Sequence, residues 1–197
     1  MIRRFLTRVV PVAALLVAMP VMAQSSSSGS AVARGRYLVD IMGCNDCHTP
    51  LKMGAKGPEP DMARLLSGHP EGMTLPPPPA GAGPWIWAGI ASNTAFSGPW
   101  GISYSANLTA DKNTGLGIWT QDMFLKGMRT GKHMGTSRMI QPPMPWNWIG
   151  RATDADLKAI FAYLKSVPPI SNHVPDYIEP KSAGTNGPKA DASKKTR

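Results

Sequence analysis

Only two cysteines occur in the 197 residues, Cys44 and Cys47. A bridge across two intervening residues is sterically awkward and closes almost no loop, so the chain does not rest on a disulfide framework. No cysteine stands near the N-terminal apolar stretch, which argues against lipid attachment there. No uncharged apolar run reaches the roughly 20 residues that cross a bilayer. No internal repeat is found, which excludes a repeat architecture. No basic stripe interleaves with aromatics, so the formal charge of +9 does not point to nucleic acid. That excess sits mostly at the two ends. Arg3, Arg4 and Arg8 precede the apolar stretch, and residues 179–197 carry five basic and two acidic side chains. The body between is only mildly basic, which suits an acidic protein partner or an anionic membrane surface.

The first residues read as an export signal. Three arginines precede the apolar run 9–22, and Val21-Met22-Ala23 offers small residues to a signal peptidase, so cleavage is expected after Ala23. Residues 24–30 read as a flexible polar linker, 31–179 as one domain, and 180–197 as a disordered basic tail. Within the domain, AVARGRYLVDIMGC places Leu38, Ile41 and Met42 at helical spacing, with Gly43 as its stop. Gly35 inside it costs roughly 1 kcal/mol against alanine, which a close helix crossing would explain. Thr120 caps a helix over TQDMFLKGMRTGK. Thr153 caps another, with Asp154 and Asp156 in its first turn, Leu157, Ile160, Phe161 and Leu164 as its stripe, and Pro168-Pro169 as its end. Residues 52–104 break the helical pattern with Gly, Pro and Trp. Trp85, Trp87 and Trp100 want burial, so an ordered wrapping loop with room for short strands is expected there.

The two cysteines belong to Cys44-Asn45-Asp46-Cys47-His48. A C-x-x-C-H run is the attachment signal of c-type haem. Residues i and i+3 lie on one side of a helical turn, so both thiols reach the vinyl groups of one porphyrin, and the histidine at i+4 rises beneath the same ring. A zinc site needs about four ligands, and only His69, His133 and His173 stand outside the motif. A thioredoxin-type redox pair would bring a periodic α/β pattern, which is absent. In an oxidising compartment a third thiol could mispair before the haem is attached.

A histidine-ligated iron has a sixth position. A thioether there makes an electron-transfer site; an open position makes a ligand-binding or peroxidase-like one. Met144 lies in Gln141-Pro142-Pro143-Met144-Pro145-Trp146, where flanking prolines favour an extended segment that aims one side chain. Met144 is therefore the expected ligand, with Met139, Met134 and His133 as alternatives. His69 and His173 read as surface or structural. Trp119 and Trp146 are candidates to line the pocket.

GRYLVDIMGCNDCHTP, NLTADKNTGLGIWT, PPMPW and DLKAIFAYLKSVPPI together resemble the class I cytochrome c family, in particular its small exported bacterial members. The resemblance runs from about Gly35 to Pro175. It implies a mainly α cytochrome c fold of a few short helices around one haem, with the first and last helices crossing. Gly35 and Tyr37 would then meet residues 157–164, with Tyr163 near the crossing. It also implies Cys44 and Cys47 as thioether anchors, His48 as proximal ligand and Met144 as distal ligand of a single covalent haem c. Residues 52–104 depart from the pattern, since small family members connect much more briefly. The function expected is a non-catalytic periplasmic electron carrier, or the electron-transfer subunit of an exported dehydrogenase, exchanging electrons with a dehydrogenase, an oxidase or another cytochrome.

Overall fold

The computed structural model describes residues 28–78 and 87–180. Cleavage after Ala23, Trp85 and the tail beyond Pro180 lie outside these residues, as does the linker up to residue 27.

The first helix, α1, spans Ser28–Ile41, three residues earlier than the domain boundary read from composition. Gly43, with φ of 70°, ends that direction of travel. A last helix, α5, spans Asp154–Ser166. The two cross at Gly35, where a Cβ would collide with the carbonyl of Ala159 and the Cβ of Tyr163. Contact between the backbones is thus what the glycine is for. Leu38 and Val39 of α1 and Leu157, Ile160 and Leu164 of α5 close the core around the crossing. Arg34 and Asp156 pair at 3.0 Å on its exposed rim, where an ion pair adds little.

Two expectations about α1 need correction. Ile41 and Tyr37 are exposed, at 60% and 53%. The inward stripe runs through Gly35, Leu38, Val39 and Met42, the i, i+3, i+4, i+7 set. Tyr37, two positions from Gly35, falls on the flank, where Arg34 lies over its ring.

Helix α2 spans Cys44–His48, α3 spans Gln121–Thr130 and α4 spans Trp146–Ile149. Both predicted caps form. Thr120 Oγ1 accepts from Met123 N at 3.2 Å, and Thr153 Oγ1 from Asp156 N at 3.1 Å. Helix α3 ends at Gly131, with φ of 68°, and its Phe124 packs on Phe161 of α5 at 5.3 Å between ring centres.

The long Gly/Pro/Trp segment is not a loop alone, so the architecture is helices plus two small antiparallel sheets. Strands β1 (Leu51–Gly54) and β2 (Gly57–Pro60) form a hairpin. Strands β3 (Ala88–Gly89), β4 (Ala95–Gly98) and β5 (Gly101–Tyr104) form a second sheet in that order. Glycine and proline forbid helix here but are tolerated in short edge strands and turns. Ile102 of β5 also pairs with Ile178, which brings the end of the described chain onto the sheet.

Buried Asn172 ties the segment down. Its Nδ2 donates to the carbonyls of Ser67 at 2.7 Å and His69 at 2.8 Å, and its Oδ1 accepts from Arg64 Nη2 and Glu71 N, both at 2.8 Å. His69 is fully buried, with Nδ1 3.0 Å from Thr94 Oγ1 and its ring beside Tyr104, so it is structural.

Candidate functional site

Helix α2 is one turn, so its placement comes from neighbours rather than from helix propensity. Asn45 Nδ2 donates to Asp40 Oδ1 at 3.0 Å, joining it to α1. Thr49 Oγ1 donates to Asn45 Oδ1 at 3.0 Å, and Asn93 Nδ2 donates to the Asp46 carbonyl at 2.7 Å. The inserted segment therefore grips the motif directly.

His48 is buried, and its Nδ1 donates to the Ala106 carbonyl at 2.8 Å. That bond sets the tautomer and leaves the Nε2 lone pair uncommitted. Burial pushes the His48 pKa down, against the Ala106 hydrogen bond, so the ring is neutral and able to donate to a metal. The backbone behind it is laced: Gly68 N donates to the His48 carbonyl at 2.8 Å, His69 N to the Ser105 carbonyl at 2.9 Å, and Leu66 N to Thr49 Oγ1 at 2.9 Å.

Burial pushes the Cys44 thiol up to about 11. Burial, and then the Asp46 charge, raise Cys47 as well. Both are thiols at neutral pH, unlike the low-pKa thiolates of redox-exchange pairs.

Cys44, Cys47, His48 and Met144 line one cavity of about 350 Å³, within the range of cofactor sites. Met144 reaches it from the far side of the sequence. The segment turns where an extended run was expected: Met144 N donates to the Gln141 carbonyl at 3.3 Å across a cis Pro142–Pro143 peptide. The Pro142 carbonyl accepts from Ser103 Oγ at 2.5 Å, and Pro145 opens α4. Apolar side chains including Leu108, Trp119 and Phe124 form much of the wall. Trp146 is not among them and packs against Gly131 instead.

The alternatives to Met144 divide. Met134 and Met139 do not line the cavity. His133 does, as a half-buried ring set edge-on to Trp119 at 4.9 Å, so it is not the exposed loop residue that its glycine neighbours suggest. Burial, and then Arg138, lower its pKa. Met42 and Met128 also line the cavity. Sequence reasoning placed Met42 on the apolar stripe of the first helix and did not single out Met128, although Met128 falls on the buried stripe of α3 with Phe124. Ala106 gave no signal at all, because a carbonyl acceptor has no side-chain signature.

Among the described residues no group of three or more His, Cys, Asp or Glu could hold a bare metal ion. Two thiols, an imidazole with a free lone pair and a thioether facing one apolar cavity fit a covalently held iron porphyrin instead. Also among the described residues, no helix is long and apolar enough to cross a membrane.

No protein-family model matches the chain. It is similar to a subunit of nicotinate dehydrogenase from Pseudomonas putida, 35% identical over 85 residues, or 43% of this chain and 7% of that protein. It is 36% identical over 75 residues to the fructose dehydrogenase cytochrome subunit of Gluconobacter japonicus, covering 38% of this chain and 15% of the relative. Against the gluconate 2-dehydrogenase cytochrome c subunit of Pantoea cypripedii it is 26% identical over 151 residues, 76% of this chain and 26% of the relative. The chain thus spans about a quarter or less of the length of these curated relatives. It is similar to cytochrome subunits that serve dehydrogenases.

Proposed function

We propose that this chain is an exported monohaem c-type cytochrome that passes single electrons between a dehydrogenase and a further redox protein, an oxidase or another cytochrome. The convergence of Cys44, Cys47, His48 and Met144 on one cavity carries the reading. Cys44 and Cys47 would hold the porphyrin through thioether bonds, and His48 and Met144 its iron. Bound there, the haem supplies reversible one-electron exchange.

The chain's own residues do the rest. The Ala106 carbonyl orients the imidazole and makes it a stronger donor. The proline segment restricts the backbone from which the thioether, a weak ligand, is presented. The apolar wall excludes water, which disfavours the more highly charged oxidation state and so raises the potential. Residues 1–23 support export to the periplasm, and the names of the relatives support a dehydrogenase as donor.

Expression in a host that matures c-type cytochromes tests this. Acidified organic solvent is expected to leave the colour with the protein, and the native reduced form is expected to resist carbon monoxide. Colourless protein whose two thiols still titrate ends the proposal. Rapid carbon monoxide binding moves it to a ligand-binding or peroxidase-like protein with an open sixth position.

A further inference from the structure

Charge is unevenly placed on this molecule. Between Met123 and Thr153 stand Lys126, Arg129, Lys132, Arg138 and Arg151, with no carboxylate; the rest of the described chain carries eight cations against eleven carboxylates. Among the described residues the positive charge is therefore concentrated in one stretch, and the rest of them are net acidic; residues 181–197 add five cations and one carboxylate.

That stretch folds into one face. The Lys126 side chain lies against Gly135, and Lys132 pairs across to Met139. The Arg138 carbonyl accepts from His133 N at 2.9 Å. Arg129 donates to the Gly150 carbonyl, next to Arg151. All five cations are exposed. Three carboxylates border them: Asp154, paired with Arg129 at 2.6 Å, Asp122 at the start of α3, and Asp176 at the cavity. Two large apolar side chains stand among the cations. Trp148 is 61% exposed with the Arg151 guanidinium 4.2 Å from its ring centre, and Met139 is 44% exposed. Helix α4 turns Trp146 inward and leaves Trp148 outside, although burial would favour both.

We propose that this face docks an acidic redox protein, with Trp148 as its apolar anchor and the surrounding cations as its rim. The inference rests on the electron-transfer reading above. An aromatic anchor within a charged rim is the anatomy of a protein interface. Within the described residues this separation of charge favours approach to an acidic partner with the basic face leading. The face is also the right one, since Met144 lies four residues before Trp148 and Arg138 lines the cavity. An anionic membrane is the weaker fit, because α4 is a single turn with no broad apolar side to insert.

The test uses holoprotein whose haem spectrum has been recorded, with hexacyanoferrate(II) as anionic electron donor and poly-L-glutamate as competitor. The triple variant Lys126→Glu, Lys132→Glu, Arg151→Glu is expected to slow the second-order rate about tenfold or more at low salt. A control triple away from the face, Arg36→Glu, Lys56→Glu, Lys158→Glu, is expected to change it far less. Poly-L-glutamate is expected to slow the parent protein and to protect the α4 amides from hydrogen exchange, with protection reduced in Trp148→Ala. Equal slowing by both triples overturns the proposal. So does binding to phosphatidylglycerol vesicles without binding to poly-L-glutamate. A colourless protein defeats the haem reading alone, because calorimetry with poly-L-glutamate still reads the face.

Discussion

His48 Nδ1 lies 2.8 Å from the carbonyl oxygen of Ala106, 58 positions further along the chain. The bond spans the whole inserted segment, so the atom that orients the imidazole is positioned by residues that look unrelated to the motif. Gly68 is one of them. It adopts φ of +78°, and a Cβ there would press on the Ser105 carbonyl and the Ala106 backbone.

Gly68→Ala is therefore expected to cost roughly 2–3 kcal/mol in denaturant unfolding and to change the haem spectrum as His48 turns. Gly72 is the matched control. It has the same φ of +78° with nothing within 4 Å of its would-be Cβ. Gly72→Ala should show only the backbone penalty of about 1 kcal/mol and an unaltered spectrum.

Gly35→Ala separates propensity from packing. In an open helix the change would stabilise by about 1 kcal/mol. Here the added carbon meets the Ala159 backbone, which cannot swing away as a side chain could. A net loss of roughly 1–3 kcal/mol is expected by chemical denaturation.

Met144→Ala should lower the reduction potential by something on the order of a hundred millivolts, within the about 0.8 V that axial ligands span, and should open the iron to carbon monoxide. Met128→Leu, at a buried thioether of the cavity wall, should leave both nearly unchanged. The reverse pattern would assign the ligand to Met128.

His69 makes the fold sensitive to acid. Burial, outweighing the hydrogen bond to the Met73 backbone, lowers its folded pKa, with the Arg64 charge adding to the drop. The unfolded chain then binds the proton more readily, so stability falls as pH drops below about 6.5 and levels off below the depressed folded value. Between pH 6.5 and 5.5 this amounts to at most about 1.4 kcal/mol. Unfolding curves of His69→Gln should have a lower baseline stability but a shallower pH slope than the parent. An identical slope would place the acid sensitivity in His48 or His133, whose pKa values are lowered in the same sense.

How far the sequence could be read depended on whether a signal was local. Thr120 and Thr153 announced their helices, because a cap is written within a few residues of the bond it makes. The CNDCH run and the proline-flanked Met144 were legible for the same reason, and Cys44, Cys47, His48 and Met144 all line one cavity. The inserted sheets were not legible beyond the expectation of some order. AFSG is four residues long and shows no hydrophobic alternation, and in GISY the alternation misleads, because Gly101 and Ser103 are the buried positions; the two strands exist through pairing with each other. His69 proved structural, one of the two readings its neighbours allowed, while the half-burial of His133 against Trp119 was not legible, because glycine neighbours report backbone freedom but not what the fold lays on top. Ile41 shows the other weakness: helical periodicity was clear, yet its phase was set by Gly35 meeting Ala159, a contact made across most of the chain; the placement of Tyr37 came from the family resemblance instead.

The pairing of Ile102 with Ile178 has a consequence beyond the site. The two residues exchange N–H···O bonds of 2.8 and 3.0 Å, Gly101 lies tight beneath residues 178–180, and Tyr177 reaches the Trp100 carbonyl. A stop codon or protease nick after residue 170 would spare every helix and yet strip the cover from strand β5. Its bare backbone would then be free to recruit a neighbour's, so a shortened copy would fail by sticking to its own kind rather than by losing its helices.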